Sequence, residues 1–341
     1  MAGKSVRKSL QTANRGEAER RLAVMLKEIS PYHGSIRKRF DDVADEYIED
    51  AAHNLKPKTL RRYKSSILML AEQFAGWWLD SITKDALLEY IANRKADGAK
   101  IPTIQRDLTA ASQMFEFAIE RDWADTNPVT LLPKRPLRYK TPVFHRPDAR
   151  SVDAGIEGAY GNMRPLAAFL KATGIRLDEG VTLEWPQIDL RRKVATLTET
   201  KNGTARTVEL NDAAMSLLKA QPHAIDTDVI FPAKDRFTGQ HAAYKGASTL
   251  WFECQRKLAA KHKWFQRFRV HDLRHIYAID YLASGGNIYL LQKQLGHGSI
   301  RQTEWYLQFL SPEEQMQAKF GPSQKASHPK RFTIAKGDEN G

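Results

Sequence analysis

Five short stretches in the second half of the sequence carry its most chemically capable residues. They are Thr173-Gly174-Ile175-Arg176-Leu177-Asp178-Glu179, Lys201 beside Asn202-Gly203, His271-Asp272-Leu273-Arg274-His275, Leu295-Gly296-His297, and Tyr306. A guanidinium is permanently charged and presents a planar fork of donors, which suits it to phosphate or carboxylate. A tyrosine hydroxyl, with an ordinary pKa of about 10, attacks only beside a base or in a strong positive field. Spacing of three puts His271 and Arg274 on one helical face, close enough to grip one ligand together. Plainer readings stay open for each residue alone: a single Arg or His on a helix is commonly solvated or packed, and a single Tyr commonly belongs to a core. A zinc site on His271, His275 and His297 is a further alternative. Against it, no carboxylate completes a His-Glu-x-x-His pattern, and Arg274 would set a cation beside the metal.

The elements that must position these residues are legible in outline. Residues 173–179 read as a helix end, a tight turn and a new helix start, with Arg176 at the junction. Residues 271–283 form a helix that Gly285-Gly286 ends. Gly296 closes another helix, and Ser299 caps the next, which carries Tyr306 two turns in. Residues 194–199 and 205–210 flank Asn202-Gly203, the dipeptide that most readily takes positive φ in a tight turn, so they predict one hairpin with Lys201 at its tip. Further upstream, Leu60, Tyr63, Ile67, Leu70, Phe74 and Trp77 recur at steps of three and four, as do Ile104, Leu108, Ala111, Phe115 and Ala118. They predict about four helices between residues 39 and 123, with Pro57 and Pro102 at helix starts.

The expected organisation is a basic N-terminal arm over 1–38, with one helix at 17–29, and a helical bundle over 39–126. A basic linker over 127–150, extended because five prolines interrupt it, leads to a second domain over 151–321 and a flexible tail over 322–341. The fold class is mainly α with a small antiparallel β element. The 341 residues carry 53 Lys and Arg against 40 Asp and Glu, a formal charge of +13. Such a surplus points to a polyanionic partner, and without an apolar stretch long enough to span a bilayer, nucleic acid leads over a membrane. Cys254 is the single cysteine, which excludes an internal disulfide and fits a reducing, cytoplasmic setting.

Taken as an ordered set, the Arg176 turn, the Lys201 hairpin, the His-x-x-Arg helix, the Leu-Gly-His step and a tyrosine nine residues later resemble the catalytic domain of tyrosine recombinases of the phage-integrase family. The resemblance covers residues 160–310. The bundle before it, notably Lys58-Thr59-Leu60-Arg61-Arg62-Tyr63, resembles the family's core-binding (SAM-like) domain, whereas the family's arm-binding domain is not evident. The resemblance implies a metal-independent reaction without cofactor, in which Arg176 and Arg274 hold the scissile phosphate and Tyr306 is the nucleophile that joins the DNA 3′ end. It further implies that Lys201 is the general acid for the 5′ oxygen, that His271 binds phosphate and moves protons, and that His297 donates to the transition state. Glu179 matches the family's acidic support position. His275 matches a recurrent family histidine, read here either as a support behind the site or as a packing histidine.

Lys56, Lys58, Arg61, Arg62 and Lys64 cluster at the start of one bundle helix and predict phosphate contacts, as do Lys134, Arg135 and Arg138 in the linker; a solvated helical face is the alternative. The resemblance implies double-stranded DNA sites clamped between the two domains, accessory DNA-bending proteins, and a homotetramer during strand exchange. A short helix after Ser311-Pro312-Glu313-Glu314, with Met316 and Phe320 on its apolar side, would pack on the neighbouring protomer. The expected activity is site-specific recombination that integrates or excises a phage or mobile element. The alternatives are a type IB topoisomerase-like activity and a catalytically silent DNA-binding regulator.

Overall fold

The computed structural model describes residues 37–140, 143–198, 205–235 and 238–321. The helix expected at 17–29, Lys201 with its Asn-Gly turn, and the tail from 322 lie outside the described residues. The chain divides into two compact units between Val143 and Phe144.

In the first unit the helical periodicity becomes four helices, α1 (Phe40–Asn54), α2 (Pro57–Phe74), α3 (Lys84–Ala96) and α4 (Ile101–Ile119). Pro57 and Pro102 occupy first-turn positions, where a missing N–H leaves no bond unmade. Ile67, Leu70 and Phe74 of α2 meet Ile104, Leu108, Ala111, Phe115 and Ala118 of α4 in one buried cluster. Trp77 departs from the expected stripe. The helix ends at Phe74, Gly76 turns the chain at φ +77°, and the Trp77 ring leans edge-on against Phe74 from a solvent-exposed position.

The first half of the expected linker is not extended. Pro128–Leu131 and Arg135–Leu137 are 3-10 turns fastened to the bundle. Buried Asn127 donates to the Ser112 carbonyl and to Glu116, Lys95 donates to the Pro136 carbonyl, and Gln105 to the Leu137 carbonyl. Val129, Leu132 and Leu137 cover the bundle core. Proline removes donors and fixes φ, but it permits 3-10 turns when outside side chains satisfy the carbonyls.

The second unit is built on α5 (Ala149–Glu157), α6 (Met163–Thr173), α7 (Leu177–Val181), α8 (Asp212–Ala220), α9 (Ala247–Lys261), α10 (Asp272–Ala283), α11 (Ile288–Leu295), α12 (Ile300–Glu304) and α13 (Pro312–Phe320). The expected hairpin is present as β2 (Val194–Leu197) and β3 (Arg206–Glu209), with Leu197 opposite Arg206. A two-residue strand β1 (Ile188–Asp189) adds to it, and β4 (Ala233–Lys234) pairs with β5 (His241–Ala242) in a second sheet, so the β content exceeds one hairpin. One core packs α6 around Leu166, Phe169 and Leu170 against the sheet residues Ala195, Leu197 and Val208 and against Leu273 and Ile276 of α10. A second joins Ile279 and Leu282 of α10 to Leu291 and Leu295 of α11, to Tyr306 and to Ala318. Helix α13 opens with the expected capping box from Ser311 and Glu314, and it docks on its own chain through Ala318, leaving Met316 and Phe320 exposed.

Among the described residues no helix is long and apolar enough to cross a membrane.

Candidate active site

Four backbone junctions bring the chemically capable side chains together. Helix α6 stops at Gly174, which takes φ +68°, and the chain re-enters α7 with Arg176 at the cap. A Cβ on Gly174 would lie 2.2 Å from the Tyr277 ring, so this turn needs glycine for space as well as for conformation. Helix α10 starts at His271. Asp272 in its first turn accepts the Arg269 N–H at 2.7 Å, which fixes the approach of the chain. Helix α11 closes at Gly296 with φ +65°, and the N–H groups of Gly296 and His297 both return to the Gln292 carbonyl. Ser299 caps α12, and Trp305–Phe309 then tightens into a 3-10 turn that carries Tyr306, rather than continuing one α-helix.

Arg274 is 3% exposed. It donates to the Gly174 carbonyl at 2.8 Å and the Leu295 carbonyl at 2.7 Å, so its guanidinium ties together the two glycine turns. Burial and the neighbouring Arg176 charge draw its pKa down to about 10, still protonated at neutral pH. Arg176 donates to Glu179 Oε1 at 3.0 Å and to the Gly296 carbonyl at 3.1 Å. Glu179 is buried and saturated. Oε2 accepts the Arg176 N–H at 2.7 Å, and Arg206 donates to both oxygens at 2.7 and 2.8 Å. Burial pushes the Glu179 carboxyl upward, but the bonds from Arg206 and the Arg176 backbone, with the two positive charges, outweigh it and leave the pKa below the usual range.

The Tyr306 ring is buried, with its hydroxyl 3.1 Å from Nδ1 of His275 and its face nearly parallel to the His297 ring at 6.3 Å. Burial raises the phenol pKa, and the charges of Arg274 and Arg176 with hydrogen bonding to Arg274 recover only part of that rise. His297 Nδ1 lies 2.9 Å from the Thr303 hydroxyl, which orients its ring. His271 stands edge-on to His275 at 5.0 Å between ring centres and is the more exposed of the two. All three imidazoles titrate below the ordinary value, first because surrounding protein displaces water and then because of nearby positive groups; His275 and His297 are pushed down to about 4. The histidines do not converge as a zinc site: His275 and His297 each turn a ring nitrogen to a hydroxyl, and among the described residues no three His, Cys, Asp or Glu side chains form a metal-holding group.

The structure thus brings Arg176, Glu179, His271, Arg274, His275, His297 and Tyr306 to one place. In the first unit, Lys56, Lys58, Arg61, Arg62 and Lys64 are exposed along the first turns of α2, and Lys134, Arg135 and Arg138 are exposed on the 3-10 turns after the bundle. Sequence reasoning misses Arg206, Thr303 and Gln294. Arg206 has a signal: it shares a strand face with buried Val208, and a cation on the inward face of a strand asks for a partner. Gln294 is buried on α11 and bonds the Thr173 carbonyl and both backbone groups of Glu209, which clips β3 to the helices around the site.

Two adjacent guanidiniums, a tyrosine hydroxyl and three imidazoles thus stand together in the second unit. Residues 159–311 match the phage integrase family. Among the chain's relatives, the integrase of Salmonella phage P22 is 26% identical over 344 residues, covering 89% of this chain and 86% of that protein. The tyrosine recombinase XerD of Pasteurella multocida is 24% identical over 272 residues, 74% of this chain and 87% of XerD. The fold is that of lambda integrase, solved as a tetramer bound to a Holliday junction, with a TM-score of 0.66 at 18% identity over 87% of this chain and 88% of that one.

Proposed function

We propose that this integrase relative is a site-specific DNA recombinase that cuts one strand with Tyr306, holds the 3′ end as a phosphotyrosine, and passes it to a new 5′ hydroxyl. The observation that carries the reading is the pair Arg176 and Arg274, anchored from behind by backbone carbonyls and Glu179, with the Tyr306 hydroxyl beside them. Each guanidinium keeps N–H donors beyond those spent on its anchors, because an arginine has five. Two fixed cations facing the non-bridging oxygens of a phosphodiester stabilise the charge that builds in the transition state, with no reorganisation during the reaction.

The step balances without water or an external energy source. Tyr306 oxygen bonds to phosphorus, the bond from phosphorus to the 5′ oxygen breaks, and the number of phosphodiester bonds is conserved. The phenol proton leaves through the hydrogen bond to neutral His275 or to His271. The departing 5′ oxygen takes a proton from Lys201, whose role comes from the family resemblance. His297, oriented by Thr303, donates to the transition state. No metal or cofactor enters the scheme.

Residues 39–126 act as the core-binding domain and 127–150 as the segment that follows it on DNA. Lys56, Lys58, Arg61, Arg62, Lys64, Lys134, Arg135 and Arg138 contact phosphates there. The tetramer named for lambda integrase supports a tetrameric synapse here, with exposed Met316 and Phe320 of α13 facing a neighbouring protomer. The phage and bacterial relatives support action in a bacterial cytoplasm on an integrating element, and the family resemblance implies DNA-bending accessory proteins.

The test is strand transfer between two duplexes that carry the attachment site. Joint molecules made by wild type and lost in Arg274→Ala support recombination. Covalent cleavage that only reseals its own strand would replace the reading by a topoisomerase-like one, and site binding without cleavage by a silent regulator.

A further inference from the structure

We infer that Arg206 is a positioning residue for the cleavage reaction: by occupying both oxygens of Glu179 it keeps that carboxylate from closing on Arg176, and so keeps the Arg176 fork available to a phosphate. The inference rests on the recombinase reading above. Glu179 accepts four hydrogen bonds, two from the Arg206 guanidinium, one from the Arg176 backbone and one from a single Arg176 guanidinium nitrogen. The three charged groups around buried Glu179 leave one positive charge over. Remove Arg206, and the charges of Glu179 and Arg176 cancel. The carboxylate oxygens released then pair with the Arg176 fork two-to-two, the preferred arrangement for arginine and carboxylate.

Arg206 also ties the site to the hairpin. It opens β3, five residues after Lys201 in sequence, and its Nε donates to the Gln294 carbonyl at 3.4 Å. At the far end of β3, Glu209 exchanges backbone bonds with the Gln294 side chain. The hairpin strand is therefore riveted to α11 at both ends, and the rivet at Arg206 lies over the turn that leads into His297. A Cβ on Gly296 would fall 2.8 to 2.9 Å from Cδ, Nε and Cζ of Arg206, so the Leu-Gly-His turn leaves room for this side chain.

The test is single-turnover cleavage of a nicked attachment-site duplex by the full chain, with rate and amplitude read separately. Arg206→Gln is expected to cleave about 10- to 100-fold more slowly, at near wild-type amplitude and with noncovalent DNA affinity within about twofold, since phosphate contacts along the duplex dominate affinity. Arg206→Lys, which restores charge without the fork, should fall between. In a Glu179→Gln background the same substitution should cost little more, because its effect passes through that carboxylate. A second arm titrates inorganic phosphate against the imidazole resonances of His271 and His297, and expects at least about fivefold weaker binding in Arg206→Gln. An unchanged cleavage rate in folded Arg206→Gln, or an equal loss in both backgrounds, overturns the inference; a loss of amplitude alone reveals a merely structural role and overturns it too. If wild type itself makes no adduct, the recombinase reading fails, and the phosphate titration alone decides, equal affinities overturning the role of Arg206.

Discussion

Replacing Glu179 by Gln removes one negative charge from a knot of two guanidiniums and puts an amide N–H₂ where a carboxylate oxygen accepted bonds. Four hydrogen bonds of 2.7 to 3.0 Å converge on Glu179, so at least two donors lose an acceptor. Breaking a buried ion pair by removing one partner costs about 3–5 kcal/mol. The arginines are not fully sealed, with side chains 25% and 11% exposed, so water recovers part of the loss and the expected cost is about 2–3 kcal/mol. For a domain of this size each kcal/mol moves the midpoint by about 2–4 °C, so thermal unfolding at pH 7 should shift down by about 4–12 °C. The sign with pH follows from the depressed carboxyl. Between its folded and unfolded pKa values the unfolded chain binds more protons, so the stabilisation is complete above the usual carboxylate range and is lost as pH falls through the folded value. The gap between wild type and variant should therefore narrow below about pH 4. A shift under about 1 °C at pH 7, or a gap that widens with acid, would refute the reasoning about this carboxylate.

Three further outcomes are expected. Gly296→Ala forces a left-handed φ on a residue with a Cβ and drives that Cβ into Arg206, so its stability in urea should fall by more than the roughly 1 kcal/mol of the backbone effect alone, with cleavage slowed; a wild-type midpoint counts against the close packing. His275 and His297 are neutral down to about pH 4, so kcat/KM should show no ionisation of either near the ordinary histidine value; an inflection at about pH 6.5 that vanishes in His275→Gln or His297→Gln contradicts the burial argument. Replacing both Arg61 and Arg62 by Gln should weaken DNA binding across sequences and flatten the plot of log affinity against log salt by about 0.9 for each phosphate no longer neutralised; an unchanged slope returns that face to plain solvation.

The local, periodic features are legible in the sequence because they need only neighbours along the chain. The four bundle helices, Pro57 and Pro102 in first turns, the glycine stops at Gly174 and Gly296, the Ser299 cap and the pairing of His271 with Arg274 all follow from spacing and backbone preference. What escapes depends on distant partners. Strands β1, β4 and β5 have two residues each, too few to show a period. The 3-10 turns at 128–131 and 135–137 exist because Asn127, Lys95 and Gln105 hold them, and composition alone reads as an extended run. Arg206 signals in the sequence only that an inward-facing cation needs a partner; which partner is fixed once the hairpin register sets it opposite Leu197 and beside a carboxylate 27 residues earlier. Tyr306 is found through its order among the motifs, while its 3-10 setting and its hydrogen bond with His275 depend on the tertiary fold.

The most direct measurement is to trap the protein on a nicked attachment-site duplex in EDTA, digest the denatured complex, and sequence the peptide that remains attached to DNA. The account predicts a metal-independent adduct, joined through a 3′ phosphate to Tyr306 and absent in Tyr306→Phe. An adduct on another residue, or cleavage that persists in Tyr306→Phe, would contradict it.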